Sequence, residues 1–372
     1  MNSRTIFKVK DSVDLFLSNE KYIMAYFMNT RQRKSFRVND DMLRLFELID
    51  GEKDVQTLQN IMHDDFEIDP ECTSNILTAL LKSKIITEVV KEQNILPDSV
   101  VSRYSRQINY FSEFLEGEID GIKAQKKIMD THVLVFGCGA IGGNIAMELA
   151  MAGIGYISLY DYDIVEESDI SRHIFYRDKY LGQPKTEALK AELKAVNSEI
   201  QVVTYNDSMK PTSDIEEIIK TADFIVNTLD EPYIGYTASK ISRICVKHKK
   251  PHFIAGGFDA HLSSTGELII PYVTPCVECY ADHFKVALEG WKPQKHPVKS
   301  RYTEIGGLAS ASLFSSSYAC IEILKYIAGL TKMEEDYKIR GEFLFHDMSL
   351  TYLDVIKNPR CPICGGIFEN GT

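Results

Sequence analysis

The run Gly137-Cys138-Gly139-Ala140-Ile141-Gly142 follows an apolar segment and opens a helical one. Glycines at this spacing let the chain turn tightly and let a phosphate approach the backbone. The free N–H groups of the helix start then face the anion. Asp161 ends the next apolar run, 19 residues past Gly142, where a carboxylate can accept a ribose hydroxyl. Together these residues point to a nucleotide rather than to a merely structural turn, but NAD remains a competitor to ATP. The residues that follow separate the two. Asp161-Tyr162-Asp163 precedes Ser168-Asp169-Ile170-Ser171-Arg172, and Gly182-Gln183-Pro184-Lys185 opens the next helix. A dehydrogenase has no use for Arg172 and Lys185, whereas a triphosphate needs cations to neutralise charge as pyrophosphate leaves. Asp230 sits just past a strand ending in Asn227, where strand ends face the crevice. There it could hold Mg2+, a hard cation that prefers carboxylate and phosphate oxygens. Any one of these residues alone reads as ordinary surface charge; their order does not.

A second constellation is Cys276-Val-Glu-Cys279 with Cys361-Pro-Ile-Cys364. Four thiolates in two CxxC pairs suit tetrahedral Zn2+, and a closed four-cysteine site leaves no open position, so it is structural. The 82 positions from Cys279 to Cys361 mean that the metal pins the C-terminal stretch back to its domain. The other four cysteines, Cys72, Cys138, Cys245 and Cys320, are scattered singly. The default for them is burial and inertness.

These groups need elements to hold them. The chain has 372 residues, 44% hydrophobic and 26% charged. That is a globular mix with length for two or three domains. The uncharged run at about 306–321 falls short of the ~18 residues of a spanning helix. The start carries no signal-peptide pattern, so the expected compartment is reducing and cytoplasmic. A net charge of −11 argues against a general nucleic-acid binder. Three regions are expected: 1–92, a linker and contact segment over 93–127, and 128–372. In the first, strands at Thr5–Val9, Tyr22–Phe27 and Lys34–Val38 precede a helix capped by Asp40 or Asp41 and ended by Gly51. Helices from Val55 and Asp69 and a strand over Ile85–Val90 complete a winged-helix-like α+β unit. In the third, strands at His132–Phe136, Tyr156–Tyr160, Gln201–Tyr205, Phe224–Asn227 and His252–Ala255 alternate with helices at Ile141–Ala152, Lys185–Val196 and Tyr236–Lys247. That alternation predicts a Rossmann-like α/β domain with a mainly parallel sheet. Between Ala281 and Tyr302, Lys285, Lys292, Lys295, Lys299 and Arg301 outnumber Asp282 and Glu289, a local charge of +3. This reads as a loop near the active site, suited to an acidic substrate or simply solvated.

The block GCGAIGG, YDYD, SDISRH, GQPK and NTLD resembles the ThiF/MoeB/ubiquitin-activating-enzyme superfamily over about residues 100–372. The resemblance implies an enzyme that adenylates a carboxylate with ATP and Mg2+. It places Asp161 and Asp163 at the ATP-binding acids, Arg172 and Lys185 on phosphate, and Asp230 on Mg2+. It also implies the four-cysteine zinc site. Arg103-Tyr104-Ser105-Arg106-Gln107 is similar to the family's RYxRQ, in which Arg106 would reach the phosphates of the other subunit of a homodimer. The sequence departs from the pattern at Asp169, where Asn is usual, and at His173, where Gln is usual. No cysteine stands in the segment Asp282–Gly307, where a thioester nucleophile would be expected, so no covalent thioester step is predicted.

The run from Arg37 to Ile86 resembles a PqqD-like peptide-recognition domain, in which a leader peptide adds as a strand to a sheet edge. An adenylating domain behind such a module resembles the microcin C-type and pantocin-type peptide-modifying enzymes. The function expected is activation of a carboxylate on a ribosomally made precursor peptide in antibiotic biosynthesis. A Glu side chain leading to dehydrative cyclisation is favoured. The alternatives are microcin-type joining of a peptide C-terminus to the nucleotide, activation of a ubiquitin-like sulfur carrier, an NAD oxidoreductase, and a catalytically dead peptide-binding scaffold.

Overall fold

The protein is described by a computed structural model over residues 2–18, 21–89, 95–115, 117–231, 233–259, 262–287, 308–333 and 338–365. It divides into two compact units, Met1–Lys126 and Lys127–Thr372.

The first unit contains β1 (Ile6–Val9), β2 (Val13–Leu17), β3 (Tyr22–Phe27), β4 (Arg33–Arg37), α1 (Asp40–Leu48), β5 (Asp50–Asp54), α2 (Val55–Phe66), α3 (Pro70–Lys82), β6 (Ile86–Glu88), α4 (Asp98–Arg103) and α5 (Ser105–Phe114), and α6 (Glu118–Asp130) crosses into the second. Two antiparallel three-stranded sheets form, β5-β1-β6 and β2-β3-β4. Their apolar faces and the three helices close over Phe7, Leu45, Leu58, Leu77, Ile85 and Ile86. The helix starts follow from their caps: Asp54 accepts the Thr57 N–H, and Asp69 accepts the Glu71 N–H ahead of Pro70. Three details depart from expectation. The cap of α1 is Asn39, whose side chain accepts the Met42 N–H, not an aspartate. Gly51 does not end that helix; with φ +86° it lies inside β5, a strand that an Asp- and Lys-rich pentapeptide did not announce. Within the stretch 94–102 expected to be linker-like, a short helix forms over Asp98–Arg103.

The second unit is built on β7 (His132–Phe136), α7 (Gly142–Ala152), β8 (Tyr156–Tyr160), α8 (Glu167–Ile170), α9 (Lys185–Val196), β9 (Gln201–Tyr205), α10 (Glu216–Thr221), β10 (Phe224–Asn227), α11 (Ile234–Lys247) and β11 (His252–Ile254). With β14 (Glu267–Ile269), the strands run in the order β14-β11-β10-β7-β8-β9. All pairs are parallel except β14 on β11. The mainly parallel α/β sheet is as the alternation predicts. The central strand Val133–Phe136 has no exposed surface, as expected where helices cover both faces. A second, antiparallel sheet was not foreseen: β12 (Phe258–Asp259), β13 (Leu262–Ser264), β15 (Gly341–Leu344) and β16 (Ser349–Tyr352). The basic loop expected from Ala281 begins instead inside α12 (Val277–Ala287); its remainder, 288–307, lies outside the described residues. Helix α13 (Ala309–Ala328) packs a small-residue face on α7. Its Ser316 hydroxyl donates to the Ile141 carbonyl at 3.0 Å.

Candidate active site

The turn between β7 and α7 is shaped by what its glycines avoid. Gly137 has φ +96°, and a Cβ there would meet the Thr228 hydroxyl. A Cβ on Gly142 would fall on the Gly137 carbonyl oxygen, and one on Gly143 would strike the Phe175 ring. Gly143 lies outside the Gly137–Gly142 pattern, and the doublet Gly142-Gly143 is its signal in the sequence. Gly139 differs: a Cβ built there meets nothing within 4 Å. Its backbone therefore borders open space at the helix start, as a cradle for phosphate requires.

Asp161 holds this turn in place. Its carboxylate accepts the Cys138 N–H at 2.6 Å and the Asp163 N–H at 2.9 Å. Burial raises its pKa, while those two N–H donors act in the opposite direction. Its two oxygens thus already serve the backbone before any ribose hydroxyl is considered. Tyr176, which carries no sequence signal, closes the back of the site. Its hydroxyl lies 2.8 Å from the Cys138 carbonyl and 3.2 Å from that of Lys185.

The two expected cations are brought together by carboxylates. Lys185 Nζ stands 3.3 Å from Asp163 and 3.5 Å from Asp169. Arg172 reaches Asp169 at 3.1 Å and keeps about half of its side chain exposed. Burial works against the charge on Lys185, but Asp169, Asp163 and Asp161 outweigh it and raise its pKa. Asp169 is buried and also accepts the Glu166 N–H at 3.0 Å, capping α8. His173 is buried against Phe175 and Tyr176, with Nδ1 2.7 Å from the Asp169 carbonyl oxygen. Burial lowers its pKa to about 4, so it is neutral at pH 7.

Asp161, Asp163, Arg172 and Lys185 thus form one cluster beside the glycine turn. Asp230 is exposed, and its carboxylate forms no ion pair or hydrogen bond among the described residues. A neighbouring bond, Tyr162 hydroxyl to Glu231 carboxylate, joins the loops after β8 and β10, the two strands that flank β7. Arg106 is exposed in the first turn of α5, in the first unit.

The four paired cysteines converge. Their sulfurs all lie within 4.8 Å of one another, and all four residues are buried. The Cys276–Cys361 and Cys279–Cys364 sulfurs are 3.6 and 3.5 Å apart. A disulfide would need about 2.05 Å. Ligands about 2.3 Å from a tetrahedral Zn2+ stand about 3.8 Å from each other. The donor set and spacing fit zinc, with these four residues as the ligands that would hold it. Among the remaining cysteines, Cys138, Cys245 and Cys320 are buried, and burial raises each thiol's pKa. Cys72 corrects the expectation of burial, since it is exposed on α3.

A glycine turn on a mainly parallel sheet with a basic pair beside it, together with a four-cysteine cluster, defines an α/β protein of Rossmann-like type. The ThiF family profile matches residues 104–363, and the chain belongs to the ThiF family. The adenylyltransferase and sulfurtransferase MOCS3-1 of Zea mays is 28% identical over 278 residues, 73% of this chain and 53% of that protein. This chain therefore spans about half the length of that relative. MccB of E. coli, solved with ATP, superimposes with a TM-score of 0.70 at 20% identity, over 96% of this chain and 99% of MccB. PaaA gives 0.70 at 20% identity, over 94% of this chain and 100% of PaaA. The chain has the fold of both.

Proposed function

We propose that this chain adenylates a carboxylate of a ribosomally made precursor peptide, using ATP and Mg2+, with its first unit holding the peptide's leader. The observation that carries the reading is the pair Arg172 and Lys185, clustered through Asp163 and Asp169 beside the open backbone of Gly139. A nicotinamide enzyme has no use for that pair; a triphosphate does. A second support is the reach of the fold match, since 94–96% of this chain superimposes on MccB and PaaA, and so takes in much of the first unit. Structures of MccB with the peptide MccA exist, and the likeness extends that pairing here as a proposal.

In the reaction, a carboxylate oxygen of the peptide bonds to the α-phosphorus of ATP. The bond to the bridging oxygen of the β-phosphate breaks, and pyrophosphate leaves with that electron pair. Lys185 and Arg172 stabilise the charge that develops there, and the Gly137–Gly142 turn cradles phosphate through its N–H groups. Mg2+, when bound, supplies further neutralisation, and Asp230 is the residue that would hold it. The enzyme works as a cytoplasmic homodimer, with the partner subunit's Arg106 completing the phosphate contacts. A nucleophile within the peptide then displaces AMP. With a Glu side chain as the activated group the net result is loss of water. No cysteine thioester intervenes.

The test is the intact mass of the cognate precursor peptide after incubation with enzyme, ATP and Mg2+. Loss of water with release of AMP and pyrophosphate is expected, and Lys185→Ala abolishes it. A nucleotide-sized gain would instead mean joining of the peptide to the nucleotide. The likeness to MOCS3-1 gives a second reading, activation of a sulfur-carrier protein. An unchanged peptide together with adenylation of such a carrier would replace the first reading with the second.

A further inference from the structure

We infer that Asp169 is a positioning residue that holds Arg172 and Lys185 as a pre-paired set and so limits how tightly this chain grips nucleotide phosphate. The inference rests on the proposed adenylating function and concerns a residue to which that function assigns no contact with the nucleotide.

Asp169 is a buried carboxylate, about 1% exposed, and its oxygens are divided among charged partners. One oxygen stands 3.1 Å from Arg172; the other stands 3.5 Å from Lys185 and accepts the Glu166 N–H at 3.0 Å. A buried carboxylate persists only when it is paired and hydrogen-bonded, and here the pairing consumes both cations that phosphate would need. Asp161 and Asp163 add two more carboxylates. His173, against the Asp169 backbone, adds no charge at neutral pH because burial keeps it neutral. Three carboxylates against two cations leave the cluster with one net negative charge before a polyanion arrives. Phosphate must therefore compete with Asp169 for Arg172 and Lys185.

The geometry has two consequences. Lys185, with 11% of its side chain exposed, is kept in the site and does not swing into solvent, so its placement costs little entropy on binding. Its charge is also partly compensated, which weakens the ground-state grip and lets pyrophosphate leave. Replacing the carboxylate by a neutral isostere keeps the cap on α8 and removes the competition.

The experiment compares the full chain with Asp169→Asn in Mg2+ buffer, measuring the ATP dissociation constant and, with the precursor peptide present as the carboxylate, inhibition by free pyrophosphate and the KM and kcat of ATP–pyrophosphate exchange. In the variant, ATP should bind about tenfold more tightly, as expected for deleting one nearby like charge in a half-buried site. Inhibition by pyrophosphate should tighten in parallel, and kcat should fall as product release slows. Asp169→Glu, which restores the charge, should return the dissociation constant toward that of the unaltered chain. If Asp169→Asn does not fold, Asp169→Gln serves in its place, since glutamine also suits this capping position and is neutral. An ATP dissociation constant that is unchanged or weaker in a folded neutral variant overturns the inference and leaves the proposed function standing. No ATP binding by the unaltered chain overturns both.

Discussion

His252 opens β11 with no exposed surface, its ring between the Lys250 carbonyl at 3.0 Å and the Ser242 hydroxyl at 2.9 Å. Burial lowers its pKa to about 4, against about 6.5 in an unfolded chain. Between those values the unfolded chain binds a proton that the folded chain does not. Stability contributed by the neutral ring is therefore complete above pH 6.5 and is lost as pH falls toward 4, by about 1.4 kcal/mol per pH unit. His173 shifts in the same direction, so the two act together. His252→Gln should reduce the loss of urea-unfolding free energy between pH 7 and pH 5 by about half, leaving the share of His173. An identical pH slope in the variant would mean that His252 titrates normally in the folded protein. The same low-dielectric surroundings explain why Lys185, ringed by carboxylates, stays charged while His252, with only neutral partners, does not.

Strand β4 lies at the edge of the β2-β3-β4 sheet. The Phe27 N–H donates to Gln32 and the Val38 N–H to Lys21, which fixes the alternation of the ladder and turns the peptide groups of Arg33, Ser35 and Arg37 outward. Phe36 faces the core and stacks on Phe46, so Arg33 and Arg37 share the opposite face. Neither arginine forms an ion pair among the described residues. An extended peptide pairing here would gain main-chain bonds, and acidic side chains would meet two arginines, Arg33 over the Tyr26 ring and Arg37. Arg33→Glu with Arg37→Glu should weaken precursor binding by about tenfold or more in a titration and leave the thermal midpoint nearly unchanged. Equal binding by the double variant would place the leader elsewhere. Sequence periodicity makes β3, α2, α3 and the parallel strands legible because each buries a regular apolar stripe or run. It misses β5, whose Asp-Gly-Glu-Lys-Asp has no such stripe and pairs only because β1 offers a partner. It misses β12 through β16 for a related reason: each is only two to four residues long, and β13 buries Ser263 and Ser264, so distant segments must complete them. At the site, Arg172 and Lys185 stand out by their order along the chain, and Asp163 through the family resemblance. The bracing of the turn by Asp161, the hydroxyl of Tyr176 and the double pairing of Asp169 are tertiary contacts that no local pattern encodes.

For the whole molecule, the four-cysteine cluster is the long-range tie of the second unit. It joins the segment after β14 to a stretch 85 residues later and sits in an apolar cluster with Ala238, Val246, Ile254 and Ile269. Four thiolates in such surroundings would repel one another, and four thiols would leave the C-terminal stretch held by modest packing and a few hydrogen bonds, such as Lys357 to the Tyr272 carbonyl. Zinc held by the four sulfurs would resolve both problems by neutralising charge and closing the loop. By analogy with a covalent cross-link, closing a loop of this length restricts the unfolded chain by about 4–5 kcal/mol. In a unit of this size each kcal/mol moves the midpoint by about 2–4 °C. The purified chain should carry one zinc per subunit by elemental analysis. Prolonged chelation, or Cys361→Ser with Cys364→Ser, should remove the metal and lower the midpoint by on the order of 10 °C. The α/β sheet is built without the C-terminal stretch, so ATP binding at low temperature should survive metal loss while the unfolding transition broadens or splits. A metal-free preparation with an unaltered midpoint would show that packing and hydrogen bonds hold the C-terminal stretch. Parallel loss of ATP binding and metal would instead tie the cysteine cluster to the nucleotide site.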